Sequence, residues 1–315
     1  MARPVIIDCD PGHDDALAIM LAAGDPAVDL LAITTVAGNQ TLAKTTLNAR
    51  RVCTVAGIRD VPVAAGCDRP LIEPLRVAAE VHGESGLDGP RFPEPTVPAA
   101  PEHAVELMHR ILTEHPEPVT LVPTAPLTNI ALLLTRYPEV APRIREIVLM
   151  GGSTERGNTT PAAEFNVHVD PEAADVVFRS GVPLTMCGLN VTHQALATPE
   201  VLARLEALGT PLGSLCVELL TFFTARYRRV FGFAAPPVHD PVAVARVIDP
   251  GIVHCVPAPV AVELHGTQTR GATVVDLHGV LGRPVNAQVA VTLETELFWD
   301  RLIAAVDTLG RRLRD

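Results

Sequence analysis

Short β-branched and aliphatic runs alternate with stretches of helical periodicity from the amino terminus onward. Residues 5–7 read as a first strand and 13–23 as a first helix. A second strand lies near 30–36, a helix near 42–56 and a short strand at 61–65. Runs at 119–122, 147–150 and 183–187 continue the series, each followed by a loop and then by apolar residues at helical spacing. Parallel strands need crossover connections, so the pattern predicts an α/β fold with a central, mostly parallel sheet flanked by helices on both faces.

Two stretches break this rhythm. From about 69 to 101 the chain is rich in Pro and Gly and carries His82-Gly83-Glu84-Ser85-Gly86-Leu87. Residues 151–166 are rich in Gly and Thr and end in Glu164-Phe165-Asn166. Long irregular segments in compact domains are usually functional, and ligands of open α/β sheets sit beyond the carboxyl ends of the strands. Both segments follow strands, so both are expected to border a site. No composition shift marks a linker and no repeat is visible, so a single domain over 1–315 is expected.

Composition narrows the partners. Lys+Arg 25 against Asp+Glu 36 leaves a formal charge of −11, the wrong sign for gripping nucleic acid. Lys44 is the only lysine, so a mechanism that needs a catalytic lysine has one candidate. The six cysteines are scattered without metal-site spacing and read as buried small residues in a reducing compartment. The apolar run before Asp8 is too short for a signal peptide, and no run approaches the ~18 residues of a membrane span. A cytoplasmic protein without membrane contact is the expectation.

The most informative string is Asp8-Cys9-Asp10-Pro11-Gly12-His13-Asp14-Asp15, four carboxylates around a strand-to-helix turn. Pro-Gly makes the turn, and Asp14 and Asp15 fall in the first helical turn, where the helix dipole favours negative charge. Two carboxylates about 4 Å apart still repel by ~4 kcal/mol at an effective dielectric near 20. Several of them together need protonation or a cation, and oxygen-only ligands suit Ca²⁺ or Mg²⁺. Asp14 and Asp15, about 100° apart on a helix, are not expected to reach one spot. If Asp10 and Asp15 hold the ion, Asp14 is left to face something beside it. Far downstream, Val238-His239-Asp240-Pro241 marks a helix start and supplies a further carboxylate and a candidate general acid or base.

Asp8-x-Asp10 after a first strand is similar to the nucleophile motif of the haloacid-dehalogenase-like phosphatases, with Asp8 attacking phosphorus. That family wants a small hydroxyl residue where Gly12 stands and a late lysine, whereas Lys44 lies early. The longer string, through Ala16, resembles the amino-terminal signature of the inosine/uridine-preferring nucleoside hydrolases. Further matches follow in order: Val36-Ala37-Gly38-Asn39, His82-Gly83 with Gly86-Leu87, Pro123-Thr124-Ala125-Pro126-Leu127-Thr128-Asn129, Met150-Gly151-Gly152, Glu164-Phe165-Asn166 with Asp170-Pro171-Glu172-Ala173, and Val238-His239-Asp240-Pro241.

The resemblance implies a single Rossmann-like domain, a bound Ca²⁺, a homodimer or homotetramer, and hydrolysis of ribonucleosides to ribose and free base in nucleoside salvage. It implies Asp10, Asp15, Asp240 and the carbonyl of Thr124 as calcium ligands. Asp14, Asn39, Glu164 and Asn166 are then the sugar contacts, with Phe165 beside them and Met150 beneath the ribose. Glycosidic cleavage passes through an oxocarbenium-like state, so Asp10 is expected to act as general base toward water and His239 as proton donor to the departing base. His82 is a second candidate contact to the base. Phe223 and Tyr227, at i and i+4 on one helix face, are candidates for an aromatic wall over it. Trp299 lies in the last helix, away from any stacking role, and His239 favours a pyrimidine-preferring or broad specificity. A phosphatase using Asp8 and a non-catalytic nucleoside- or ribose-binding protein are the alternatives.

Overall fold

The computed structural model describes residues 2–314. The chain enters as β1 (Arg3–Cys9), turns through Pro11-Gly12 into α1 (His13–Gly24) and returns as β2 (Val28–Thr35). Helix α2 (Leu42–Val55) and β3 (Val63–Ala65) complete that flank. A long irregular stretch holding α3 (Ala79–His82) leads to α4 (Ala104–Glu114), β4 (Val119–Pro123), α5 (Thr128–Arg136) and β5 (Ile144–Met150). A second irregular stretch precedes α6 (Phe165–Val169), α7 (Pro171–Phe178), β6 (Leu184–Cys187) and α8 (Leu189–Thr192). Helices α9 (Pro199–Glu206), α10 (Pro211–Phe231) and α11 (Asp240–Ile248) follow. The chain closes with β7 (Val253–Ala258), the antiparallel pair β8 (Val260–Val262) and β9 (Thr273–Val275), β10 (Ala287–Leu293) and α12 (Thr295–Arg312).

The main sheet has eight strands in the order β3-β2-β1-β4-β5-β6-β10-β7. All neighbours run parallel except β10 and the edge strand β7. This is the α/β architecture that the alternating pattern predicts. Strand β1 shows why it is two-sided: Val5, Ile7 and Cys9 pack into a core with α1, α11 and α12, while Ile6 enters a second core with α4, α5 and α7. Successive side chains of a strand face opposite ways, so a run without polar breaks is what a doubly covered strand requires. Trp299 and Phe298 of α12 fill the first core. The last four strands lack that signature. Edge strand β7 carries Pro257 and exposed His254, and β9 spans three residues.

None of the six cysteines is paired, and Cys255 is half-buried rather than buried. Among the described residues no helix is long and apolar enough to cross a membrane. Because β1 lies between β2 and β4, its carboxyl end opens at the middle of the sheet, beside the ends of β4 and β5.

Candidate active site

Asp8, Asp10, Asp14, Asp15 and Asp240 are all buried. One oxygen each from Asp14, Asp15 and Asp240 lies within 4.8 Å of the others. This corrects the expectation that Asp14 and Asp15 cannot reach one spot. Side chains lean back toward a helix amino terminus, so two first-turn residues about 100° apart converge over the helix end. Asp14 therefore belongs to the carboxylate trio as well as to the cavity wall, and its Oδ2 accepts the amide of His239 at 3.2 Å.

Asp10 sits apart from that trio. Its Oδ2 accepts the amide of Asn39 at 2.6 Å, while Nδ2 of Asn39 lies 3.3 Å from its Oδ1 and 3.4 Å from Oδ2 of Asp15. Asn39 thus covers Asp10 from the cavity side, and Asp10 is not among the cavity walls. Asp15 is held by the amide of Gly12 at 2.9 Å and by the hydroxyl of Thr124 at 2.9 Å. The Thr124 carbonyl accepts Nδ2 of Asn166 at 3.0 Å.

Burial pushes Asp14 up to about 7 and raises Asp10, Asp15 and Asp240 as well, with the neighbouring carboxylates adding to Asp10, Asp14 and Asp240. Their partners are amides and hydroxyls, with no cationic side chain among the described residues. Convergent, buried, oxygen-only donors that cannot all ionise together fit a hard divalent cation.

Beside the trio lies a cavity of about 290 Å³. Asp14, Asp240, Thr124 and Asn39 form part of its wall, and Met150, Glu164, Phe165 and Asn166 another part. His82, Tyr227 and His239 close a third. Glu164 caps α6, accepting the amides of Gly152, Asn166 and Val167 at 2.9, 2.9 and 3.1 Å. Burial raises its carboxyl to about 7 against the pull of those donors. Nδ2 of Asn166, which donates to the Thr124 carbonyl, also donates to the Met150 carbonyl at 3.1 Å, so β4, β5 and α6 are tied at one point.

His239 is fixed from both sides. Thr192 contacts Nδ1 and Tyr227 contacts Nε2, each at 2.7 Å. Burial drops the ring to about 3, so it is neutral at physiological pH. The two aromatics of α10 divide, since Tyr227 lines the cavity whereas Phe223 does not. Phe223 stands behind the wall and stacks on His13 and His82 at 5.2 and 5.4 Å. A spacing of i, i+4 puts both on one helix face, but the turn that separates them along the axis decides which one meets the cavity.

Thr192, behind His239, and the wall residues Arg76, Asn158 and Phe231 carry no motif that marks them in advance, and His13, although it stands inside the Asp8–Asp15 string, carries no signal of its own. Asp8 lies outside the cavity wall, its Oδ1 engaged by Thr34 and Asn129 at 2.7 Å each. A carboxylate so enclosed cannot attack phosphorus, which removes the phosphatase alternative.

Residues 5–300 match the sequence profile of the family described as inosine-uridine preferring nucleoside hydrolase. The pyrimidine-specific ribonucleoside hydrolase RihA of Photobacterium profundum is 51% identical, covering 96% of this chain and 98% of that protein. The RihA of Escherichia coli O7:K1 is 48% identical over 100% of this chain and 99% of that protein. Among solved structures, a purine-preferring ribonucleoside hydrolase from Gardnerella vaginalis superposes with a TM-score of 0.92 at 32% identity, covering 98% of this chain and 100% of that one.

Proposed function

Since the chain belongs to the inosine-uridine preferring nucleoside hydrolases, an N-glycosyl hydrolase family acting on nucleosides, we propose that it is a Ca²⁺-dependent, pyrimidine-preferring member. The convergence of Asp14, Asp15 and Asp240 within 4.8 Å at a cavity of about 290 Å³ carries this reading. Asp15 and Asp240, with Asp10 and the Thr124 carbonyl, would hold the ion, and Asp14 stands close enough to join them. When bound, the ion supplies a charge that orients sugar hydroxyls and eases loss of a proton from water.

The remaining chemistry belongs to side chains. Asp10 takes the proton of the attacking water. Asn39 leaves its Oδ1 the less encumbered oxygen, with one contact at 3.3 Å against 2.6 Å on Oδ2. Glu164, Asn166 and Asp14 line the space for the ribose, where carboxylates favour positive charge developing on the sugar. His239 and Tyr227 stand at the base end. Because both nitrogens of the neutral imidazole contact hydroxyls, the departing base takes the place of the Tyr227 hydroxyl at Nε2 and receives a hydrogen bond rather than a whole proton from the start. That suits a uracil ring, whose two carbonyls carry away negative charge. Relatives named pyrimidine-specific at about half identity support the same preference.

The negative charge of the chain and its carboxylate-lined cavity argue for a small nucleoside rather than a polynucleotide as substrate. We place the protein in the cytoplasm, as a homo-oligomer acting in nucleoside salvage. A panel of ribo- and deoxyribonucleosides assayed for free base and sugar tests the reaction. Uridine and cytidine are expected to exceed inosine, and 2′-deoxynucleosides to be poor substrates. Asp10→Ala is expected to abolish base release in a folded protein, and full activity in that variant would sink the assignment.

A further inference from the structure

His13 is a position of the Asp8–Asp15 string that no step above uses, and it does not line the cavity. Its ring is buried and stacks on both Phe222 and Phe223, with centroids 5.2 Å away and planes 7° and 8° from parallel. Nε2 lies 2.8 Å from the carbonyl of Asp88, and Nδ1 lies 3.2 Å from Nδ1 of His82. A carbonyl only accepts, so the proton of the His13 ring sits on Nε2 and a lone pair on Nδ1 faces His82.

The contact between the two rings then requires the proton of His82 on its Nδ1. The opposite arrangement would set two lone pairs face to face at 3.2 Å to gain a 3.4 Å contact from the His13 amide. Nε2 of His82 is left as a lone pair without a hydrogen-bond partner among the described residues, on a side chain that lines the cavity. Phe223, stacked on His82 at 5.4 Å, opposes rotation of the ring. Gly12 leaves the space that His82 fills, since a Cβ there would overlap the imidazole.

We propose that His13 is a positioning residue for base recognition, which orients His82 and sets its tautomer so that the cavity meets a hydrogen-bond acceptor. An acceptor there matches a base edge that carries an N–H, such as the ring N–H of uracil or the amino group of cytosine. The base contact rests on the nucleoside reading of the cavity, whereas the contact between His13 and His82 does not.

The direct test is long-range proton–nitrogen spectra of histidine-labelled protein, with the His82 signals identified by their loss in His82→Asn. The wild-type protein is expected to show His82 protonated at Nδ1. His13→Phe keeps an aromatic stack but has no acceptor, and is expected to move the proton to Nε2. His13→Asn places an amide oxygen near the site of Nδ1 and is expected to keep it. A wild-type His82 protonated at Nε2, or one indifferent to His13→Phe, overturns the proposal. In kinetics, His13→Phe is expected to lower kcat/KM for uridine about tenfold and for p-nitrophenyl riboside less than about twofold, the scale of one lost hydrogen bond to the base. His13→Asn should recover most of that loss. Equal losses on both substrates would leave His13 a packing role alone and overturn the proposal. Absence of uridine turnover by the wild-type protein would instead overturn the nucleoside reading and the base contact with it, while the spectra still decide the contact between His13 and His82.

Discussion

The phenol of Tyr227 meets Nε2 of His239 at 2.7 Å, so the base end of the cavity is a two-residue hydrogen-bonded unit rather than a lone imidazole. Removing the imidazole and removing the phenol should therefore have graded effects. His239→Ala is expected to slow uridine and inosine hydrolysis by ~10–100-fold, the scale of one hydrogen bond to a base that gathers negative charge, and to spare p-nitrophenyl riboside, whose phenolate departs unaided. Tyr227→Phe should lose about tenfold or less, as expected for one hydrogen bond. Steady-state kinetics on the three substrates check this, and equal losses on all of them in His239→Ala would argue against the donor role.

Metal removal and pH are linked through the carboxylates. Asp14, Asp8 and Glu164 have folded-state values raised by burial to about 7, 6 and 7, from ordinary values of 3.8, 3.8 and 4.5. An acid whose pKa is raised on folding holds extra protons in the native state, so its stabilising effect is present at low pH and lost as pH rises through the folded value. Chelator-treated protein is therefore expected to melt at progressively lower temperature between about pH 4 and pH 8. Added Ca²⁺ should restore stability most strongly at the high end, by ~2.7 kcal/mol at a hundred times its Kd. Melting curves that rise with pH in the chelated protein would contradict the burial of these groups.

Gly38 leaves no room for a side chain, because a Cβ there overlaps Oδ2 of Asp10 and lies 2.8 Å from Cδ of Pro126. Adding one methyl group in Gly38→Ala must displace the carboxylate. Calcium affinity is expected to fall ~10–100-fold, the range seen when groups that orient metal ligands are altered, with circular dichroism unchanged. Calorimetric titration with Ca²⁺ measures it, and wild-type affinity would mean that Asp10 does not serve the ion.

Asp8 offers a control inside the same string. Its Oδ2 is buried without a partner, and its Oδ1 accepts from Thr34 and Asn129. Asp8→Asn keeps that acceptor and is expected to retain nucleoside turnover of the order of the wild type, with a stability change of about 1–3 kcal/mol in chemical denaturation. Neither protein should release phosphate from nucleotides. Loss of turnover in a folded Asp8→Asn protein would give this carboxylate a chemical role.

The sheet was legible because its central strands are buried on both faces. A run such as Val5-Ile6-Ile7 has no other stable placement, and its strand ends at the carboxylates that mark the site. Strands β7 to β10 escaped because exposure on one side and short length erase the pattern, as Pro257 and the three residues of β9 illustrate. In the site, a cluster of charged residues announces itself, and Asp10, Asp14 and Asp15 stand out in one eight-residue string, whereas Asp240 joined them through the family resemblance. The place of Asp14 could not, since helical angle says nothing of how first-turn side chains fold over a helix end. Thr192 and His13 were invisible for another reason. They act through the nitrogen atoms of His239 and His82, and only the folded chain shows which atoms meet.

The amide of His239 and the carboxylate of Asp14 are 225 positions apart in the chain. A ribosome adding ~5–20 residues per second produces the first of them roughly 11–45 s before the second. Throughout that interval the acidic turn after β1 has neither Asp240 nor the start of α11 against it, and its carboxylates are free to stay hydrated. Completion of the site is thus a late event in the life of each molecule. A chain cut short before residue 240 carries most of the sheet but cannot close the trio, which makes assembly of the site a check that synthesis has run nearly to its end.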